Sequence, residues 1–142
     1  MRVYLAARYS KKKELREYAK QLRKAGITCT SSWLREKADD GTLSRFDDAY
    51  LTQCAERDFR DIYDSHTLVL FTVPETEPTR RGGRHVEFGM AYGLKLDVII
   101  CGPRENIFHY MRGIQQFDTF EEVLAYLVEQ QEAARAIVGE TI

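Results

Sequence analysis

Thr67-Leu68-Val69-Leu70-Phe71-Thr72-Val73 decides the fold. The run is almost wholly apolar, without the alternation of a strand that has one face in water. Such a run marks a central strand covered on both faces, as in a parallel sheet with a helix layer on each side. Asp97-Val98-Ile99-Ile100-Cys101 is a second run of this kind, and Val3-Tyr4-Leu5-Ala6-Ala7 a third. Between them lie helical patterns. In segment 11–25, Leu15, Tyr18, Ala19 and Leu22 recur at helical spacing; Ser10 is the expected N-cap and Gly26 the stop.

The β-branched stretch 27–31 reads as strand two, and 35–43 as a loop. A second helix is expected from about Ser44 to Asp64, with Leu51, Cys54, Ala55, Phe59 and Ile62 inward. A third, from Gly83, is expected to turn Val86, Met90, Gly93 and Leu94 to the sheet, with Gly89 and Gly93 allowing close approach. Gln116-Phe117-Asp118 reads as a last short strand. Thr119-Phe120-Glu121-Glu122 is a capping box, opening a helix with Phe120, Val123, Leu124, Leu127 and Val128 in a stripe. The tail beyond about Ala134 is expected to fray.

Five strand–helix units give an α/β fold. It is a doubly wound, five-stranded parallel sheet of order 2-1-3-4-5 in a three-layer sandwich, Rossmann-like or flavodoxin-like. Ligands of such sheets bind beyond the C-terminal strand ends, at the switch point between strands one and three. Loops 7–10, 31–35, 74–84 and 102–106 should converge there.

The 142 residues suit a single domain with its own core. Net charge is −1, from 21 basic and 22 acidic residues, which argues against a duplex nucleic-acid binder and leaves room for a small phosphorylated ligand. No apolar run is long enough to span a membrane, and the N-terminus is basic only after its apolar stretch, so the chain reads as cytoplasmic. Cys29, Cys54 and Cys101 read as reduced thiols. His66, His85 and His109 lack ligand spacing, so neither a metal nor another cofactor is expected. Neither a dinucleotide fingerprint nor a P-loop occurs.

Chemistry concentrates in Arg80-Arg81-Gly82-Gly83-Arg84-His85-Val86-Glu87-Phe88-Gly89-Met90-Ala91. Paired glycines lead into a helix whose first turn should hold Glu87, ionised by the helix N-terminus and with small Ala91 above it. Ala7-Arg8-Tyr9-Ser10 is placed to hold a phosphate. Asp58 reads as a boundary position near the sheet, Asp61 as a solvated acid. Trp33 reads either as a platform for a base or as a cap over the core.

These residues resemble the nucleoside 2-deoxyribosyltransferase family, which includes deoxynucleoside 5′-monophosphate N-glycosidases and cytidylate hydrolases. The likeness spans Val3 to about Val128. It rests on Val3-Tyr4-Leu5-Ala6-Ala7, Asp58-Phe59-Arg60-Asp61-Ile62, Gly83 through Ala91, and Asn106. It implies Glu87 as nucleophile, with Asp58 and Tyr4 as further catalytic residues. It implies substrate contacts from Ala7, Arg8, Ser10, Trp33, Arg81, Gly83, Arg84 and His109, and from Asn106 of a neighbouring subunit. The implied assembly is a homodimer or higher homo-oligomer with shared sites.

The transferases carry an acid ahead of the glutamate, where this chain has Arg80-Arg81, and end in an aromatic residue, where it has Gly139-Glu140-Thr141-Ile142. Arg8, Ser10, Arg81 and Arg84 suit a 5′-phosphate. The expected activity is N-glycosidic cleavage of a (deoxy)ribonucleoside 5′-monophosphate. The alternatives are deoxyribosyl transfer between bases and a non-catalytic nucleotide sensor.

Overall fold

The computed structural model describes residues 1–36, 46–77 and 82–141. Its five strands, β1 (Arg2–Ala6), β2 (Thr28–Cys29), β3 (Thr67–Phe71), β4 (Asp97–Cys101) and β5 (Gln115–Phe117), form one parallel sheet of order β2-β1-β3-β4-β5. β3 is buried along its whole length, between β1 (Ala6 opposite Leu70) and β4 (Phe71 opposite Cys101). The apolar run that decided the fold is therefore the centre of the sheet. Helices α1 (Lys12–Lys24), α2 (Asp48–Tyr63), α3 (Gly83–Gly93) and α4 (Phe120–Thr141) complete the layers. α1 meets α4 through Tyr18 stacked on Phe120 at 4.1 Å, and through Gln131, whose amide donates to the Ala25 carbonyl at 3.2 Å.

β2 is shorter than the stretch 27–31 suggested. The chain leaves the sheet edge at Ser31, whose hydroxyl replaces a backbone ladder: it accepts from Leu5 N (2.7 Å) and donates to Leu5 O (3.2 Å). Ser10 is not an N-cap. It lies in a short 3₁₀ turn, Tyr9–Lys11, and α1 opens only at Lys12. α2 starts at Asp48, capped by the Asp47 carboxylate accepting from Tyr50 N at 2.8 Å; Ser44 lies outside the described residues. The capping box of α4 is present, with Thr119 Oγ1 accepting from Glu122 N (3.3 Å) and Glu122 Oε1 accepting from Thr119 N (3.2 Å). The tail beyond Ala134 continues this helix to Thr141.

Two helices turn other faces inward than their apolar residues suggested. In α2, Ile62 is buried, Leu51, Cys54, Asp58 and Asp61 are half-buried, and Ala55 and Phe59 are exposed. Asp58 and Ile62 stand four apart on one face, and Phe59 is turned about 100° away, so burying Ile62 brings Asp58 in and sends Phe59 out. In α3 the buried face is Arg84, Phe88 and Ala91; Met90 and Leu94 pack against the core half-buried, as expected, while Val86, Gly89 and Gly93 face outward. Beyond the chain neighbours and the helix's own backbone, no atom of the described residues lies within 4 Å of a Cβ added at Gly89 or Gly93, so neither serves close packing on another element. Gly102 is different: at φ +118°, a Cβ would stand 2.5 Å from Thr72 Oγ1. Only glycine fits where the chain leaves β4.

Candidate active site

Tyr4 sits in β1 with its side chain fully buried, and its hydroxyl donates to Glu87 Oε2 on α3. Glu87 lies on the inward face of α3, half-buried beside Phe88 and one turn before Ala91. Because α3 begins at Gly83, Glu87 is in its second turn and the first turn holds no acid. The helix N-terminus therefore does not keep Glu87 ionised, contrary to expectation. Burial dominates and pushes its carboxyl from 4.5 up to about 8. The Tyr4 hydrogen bond works against that rise, and the negative charge of Asp58 adds to it. Burial also raises the Tyr4 phenol well above its ordinary value, with Glu87 and Asp58 adding, so Tyr4 remains a neutral donor.

Asp58 comes to the same centre from α2. Burial raises its carboxyl, Arg57 opposes the rise, and Glu36 and Asp61 add to it. Arg57 Nε and Nη2 donate to Asp58 Oδ1 at 3.2 and 2.8 Å, and Arg57 also pairs with Glu36. Asp61 is not a solvated acid: its Oδ2 accepts from Ser32 N at 3.0 Å and holds the turn after β2. Sequence reasoning missed Arg57 and Glu36. Adjacent helix residues do not share a face, so periodicity gives no sign of an Arg57–Asp58 bond.

The other expected site residues divide in two. Ala7 follows the last residue of β1 and lies at the edge of burial. Arg8 follows it and reaches across to the loop after β3, pairing with Glu77 at 3.1 Å; Ser10 is exposed beside it. A pair so accessible is worth about 1 kcal/mol or less, and can exchange Glu77 for another anion. Gly82 takes the left-handed conformation (φ +67°) that starts α3, and Gly83 is exposed with open space around it. Arg81 lies outside the described residues.

Trp33, Arg84 and His109 point into the protein, where each has a partner of its own. Trp33 is 6% exposed and its indole N–H donates to Leu5 O at 3.0 Å; it is the cap over the core. Arg84 is 3% exposed and its Nη2 donates to Glu105 Oε1 at 2.8 Å, because a buried guanidinium requires a paired acid. His109 is fully buried against Phe88, with ring centroids 5.0 Å apart, and its Nδ1 accepts from Glu105 N at 3.0 Å. Burial holds His109 and His85 below the usual histidine range. Arg84 and His109, both bonded to Glu105, fix the loop after β4. That loop presents Asn106, whose Oδ1 accepts from Phe108 N at 2.9 Å.

Within the described residues no helix is long and apolar enough to cross a membrane. No protein-family model matches the chain, and no curated protein matches its sequence. Several solved structures are similar to it in fold, among them two enzymes. One is the CMP N-glycosidase BcmB of Clostridium botulinum, at 19% identity and TM-score 0.57, covering 89% of this chain and 98% of that one. The other is a 2-deoxyribosyltransferase of Bacillus psychrosaccharolyticus, at 18% identity and TM-score 0.65, covering 87% of this chain and 90% of that one. At these identities the likeness shows a shared α/β architecture, which is the one read from the sequence.

Proposed function

We propose that this protein is an N-glycosidase cleaving (deoxy)ribonucleoside 5′-monophosphates through a covalent glycosyl–Glu87 intermediate. The observation that carries the reading is the Tyr4–Glu87 hydrogen bond, with Asp58 close enough to raise the Glu87 carboxyl. Two carboxyl groups that bear on one buried phenol suit chemistry at an anomeric carbon. The ionised Glu87 attacks C1′ as the bond from C1′ to the base nitrogen breaks, and its charge stabilises the oxocarbenium-like transition state. The base leaves protonated, directly or through water. Asp58 positions the sugar or handles a proton. Water then attacks C1′ of the ester, releasing the sugar phosphate and restoring the carboxylate.

The 5′-phosphate is assigned to Arg8, Ser10 and Arg81. Arg8 and Ser10 follow β1, and arginine's fork matches phosphate oxygens. Arg84 is left out, since Glu105 already holds it.

The proposed assembly is a homodimer or larger, in which Asn106 of one subunit contacts Glu87 of another. Asn106 Nδ2 lies 3.4 Å from His109 Nε2, but that nitrogen carries the ring proton, because Nδ1 accepts from the Glu105 N–H. The amide hydrogens of Asn106 are thus not accepted by His109. The next residues, Ile107, Phe108 and Tyr110, are 78%, 58% and 71% exposed, an apolar segment that a second subunit would cover.

Incubation with a panel of nucleosides and 5′-monophosphates, followed by chromatography, tests the reading. Free base and sugar phosphate are expected from a monophosphate, with the matching nucleoside cleaved more slowly. Adding a second free base separates hydrolysis from transfer: a new nucleotide carrying the added base would favour the transferase. Tight binding without base release would favour the sensor.

A further inference from the structure

Arg57 has no part in the reaction as derived above, yet it stands between two acids. Its Nε and Nη2 both donate to Asp58 Oδ1, and Nη2 pairs with Glu36 as well. The Glu36 end is anchored independently: Arg16 Nη2 donates to the Glu36 carbonyl at 3.1 Å, and Lys12 Nζ donates to the same oxygen. Arg57 therefore ties a fixed point after β2 to an acid on α2. The tie is not a consequence of helix geometry, since neighbouring side chains diverge by about 100°. Arg57 has to fold back along the helix to reach its neighbour, and Glu36 lies where it does so.

Asp58 has reason to need this tie. It is half-buried, and the groups that bear on it from the packed elements are mostly acidic or neutral. Glu36 stands after β2, Asp61 is on its own helix, Glu87 is on α3 and the Tyr4 phenol is in β1. Arg57 is the cation bonded to it. We infer that Arg57 is a positioning residue, anchored by Glu36, that keeps the Asp58 carboxylate charged and in one orientation beside Tyr4 and Glu87. This rests on the reading of Asp58 as part of the reaction centre.

Carboxyl ¹³C NMR titration of the wild type, Arg57→Gln and Arg57→Lys tests the inference without substrate. In Arg57→Gln the Asp58 midpoint is expected to rise by about one pH unit or more, as for a partly buried acid losing its cation. Arg57→Lys keeps the charge but not the fork, and is expected to return most of that shift. With a nucleotide that the wild type cleaves, kcat should fall about tenfold in Arg57→Gln with a smaller change in KM, and recover in part in Arg57→Lys. That factor corresponds to about 1.4 kcal/mol. An unchanged Asp58 midpoint in Arg57→Gln overturns the inference, as does a shift that Arg57→Lys fails to reverse while folding normally. The titration needs no turnover. Absence of base release would therefore defeat the proposed activity, while the Asp58 midpoint would still decide the role of Arg57.

Discussion

Glu87→Gln is expected to abolish base release while leaving the fold intact, a loss on the order of 10⁴-fold or more, as when a covalent nucleophile is removed. Glutamine fills the same volume and can still accept the Tyr4 hydroxyl through its amide oxygen, so packing around Phe88 and Ala91 has no cause to change. The amide cannot form the glycosyl ester. The same variant has a second expected effect, on stability. In the native protein the Glu87 carboxyl is pushed up to about 8 by burial, against 4.5 ordinarily. Between those values the folded state holds a proton that the unfolded chain has released. Stability contributed by this group is thus complete below about pH 4.5 and declines as pH rises to about 8. Glutamine does not titrate. Thermal melts of the two proteins should therefore differ by pH: Glu87→Gln gains on the wild type as pH rises through this window, with the full difference above pH 8. Parallel Tm-versus-pH curves would contradict the assigned carboxyl.

Tyr4→Phe is expected to lower kcat/KM by roughly 10- to 100-fold at neutral pH, the range set by a hydrogen bond to a charged group. Tyr4 donates to Glu87 Oε2, and the bond favours the ionised carboxyl. Without it, burial and the Asp58 charge act unopposed and the carboxyl rises further. The wild-type rate should climb with pH and level off above about 8, where Glu87 is ionised in the free protein. In Tyr4→Phe the climb should move to higher pH. Part of the activity should therefore return in alkaline buffer, which distinguishes lost ionisation from lost packing. A uniform fall at every pH would assign Tyr4 to packing alone.

The continuous apolar runs at 67–73 and 97–101 made the central strands legible; right-handed crossovers implied the doubly wound sandwich, and the strand order is the usual one for five such strands. Glu87 was legible from its glycine-rich surroundings and from the resemblance; Tyr4 bonds to it, and the charge of Asp58 acts on it. The inward faces of α2 and α3 were not legible. Each helix carries apolar residues on two faces, Phe59 against Ile62 and Val86 against Phe88, and packing on the sheet selects between them. That choice is what turned Asp58 toward Tyr4 and buried Arg84. The bonds that hold Trp33 and His109 were not legible for a related reason: their partners, the Leu5 carbonyl and the Glu105 amide, are backbone groups that no side-chain pattern reveals. The charge state of Glu87 was not legible either. With α3 starting at Gly83 the carboxyl falls just past the first turn, where the helix terminus no longer governs it and burial decides.

The covalent role of Glu87 is tested most directly by weighing the intact protein after acid quench during turnover of a cleaved 5′-monophosphate. A mass gain equal to one sugar phosphate less one water, mapping to the peptide that contains Glu87 and absent in Glu87→Gln, is the predicted result. Base release that proceeds with no adduct at any quench time, or an adduct on another residue, would contradict it.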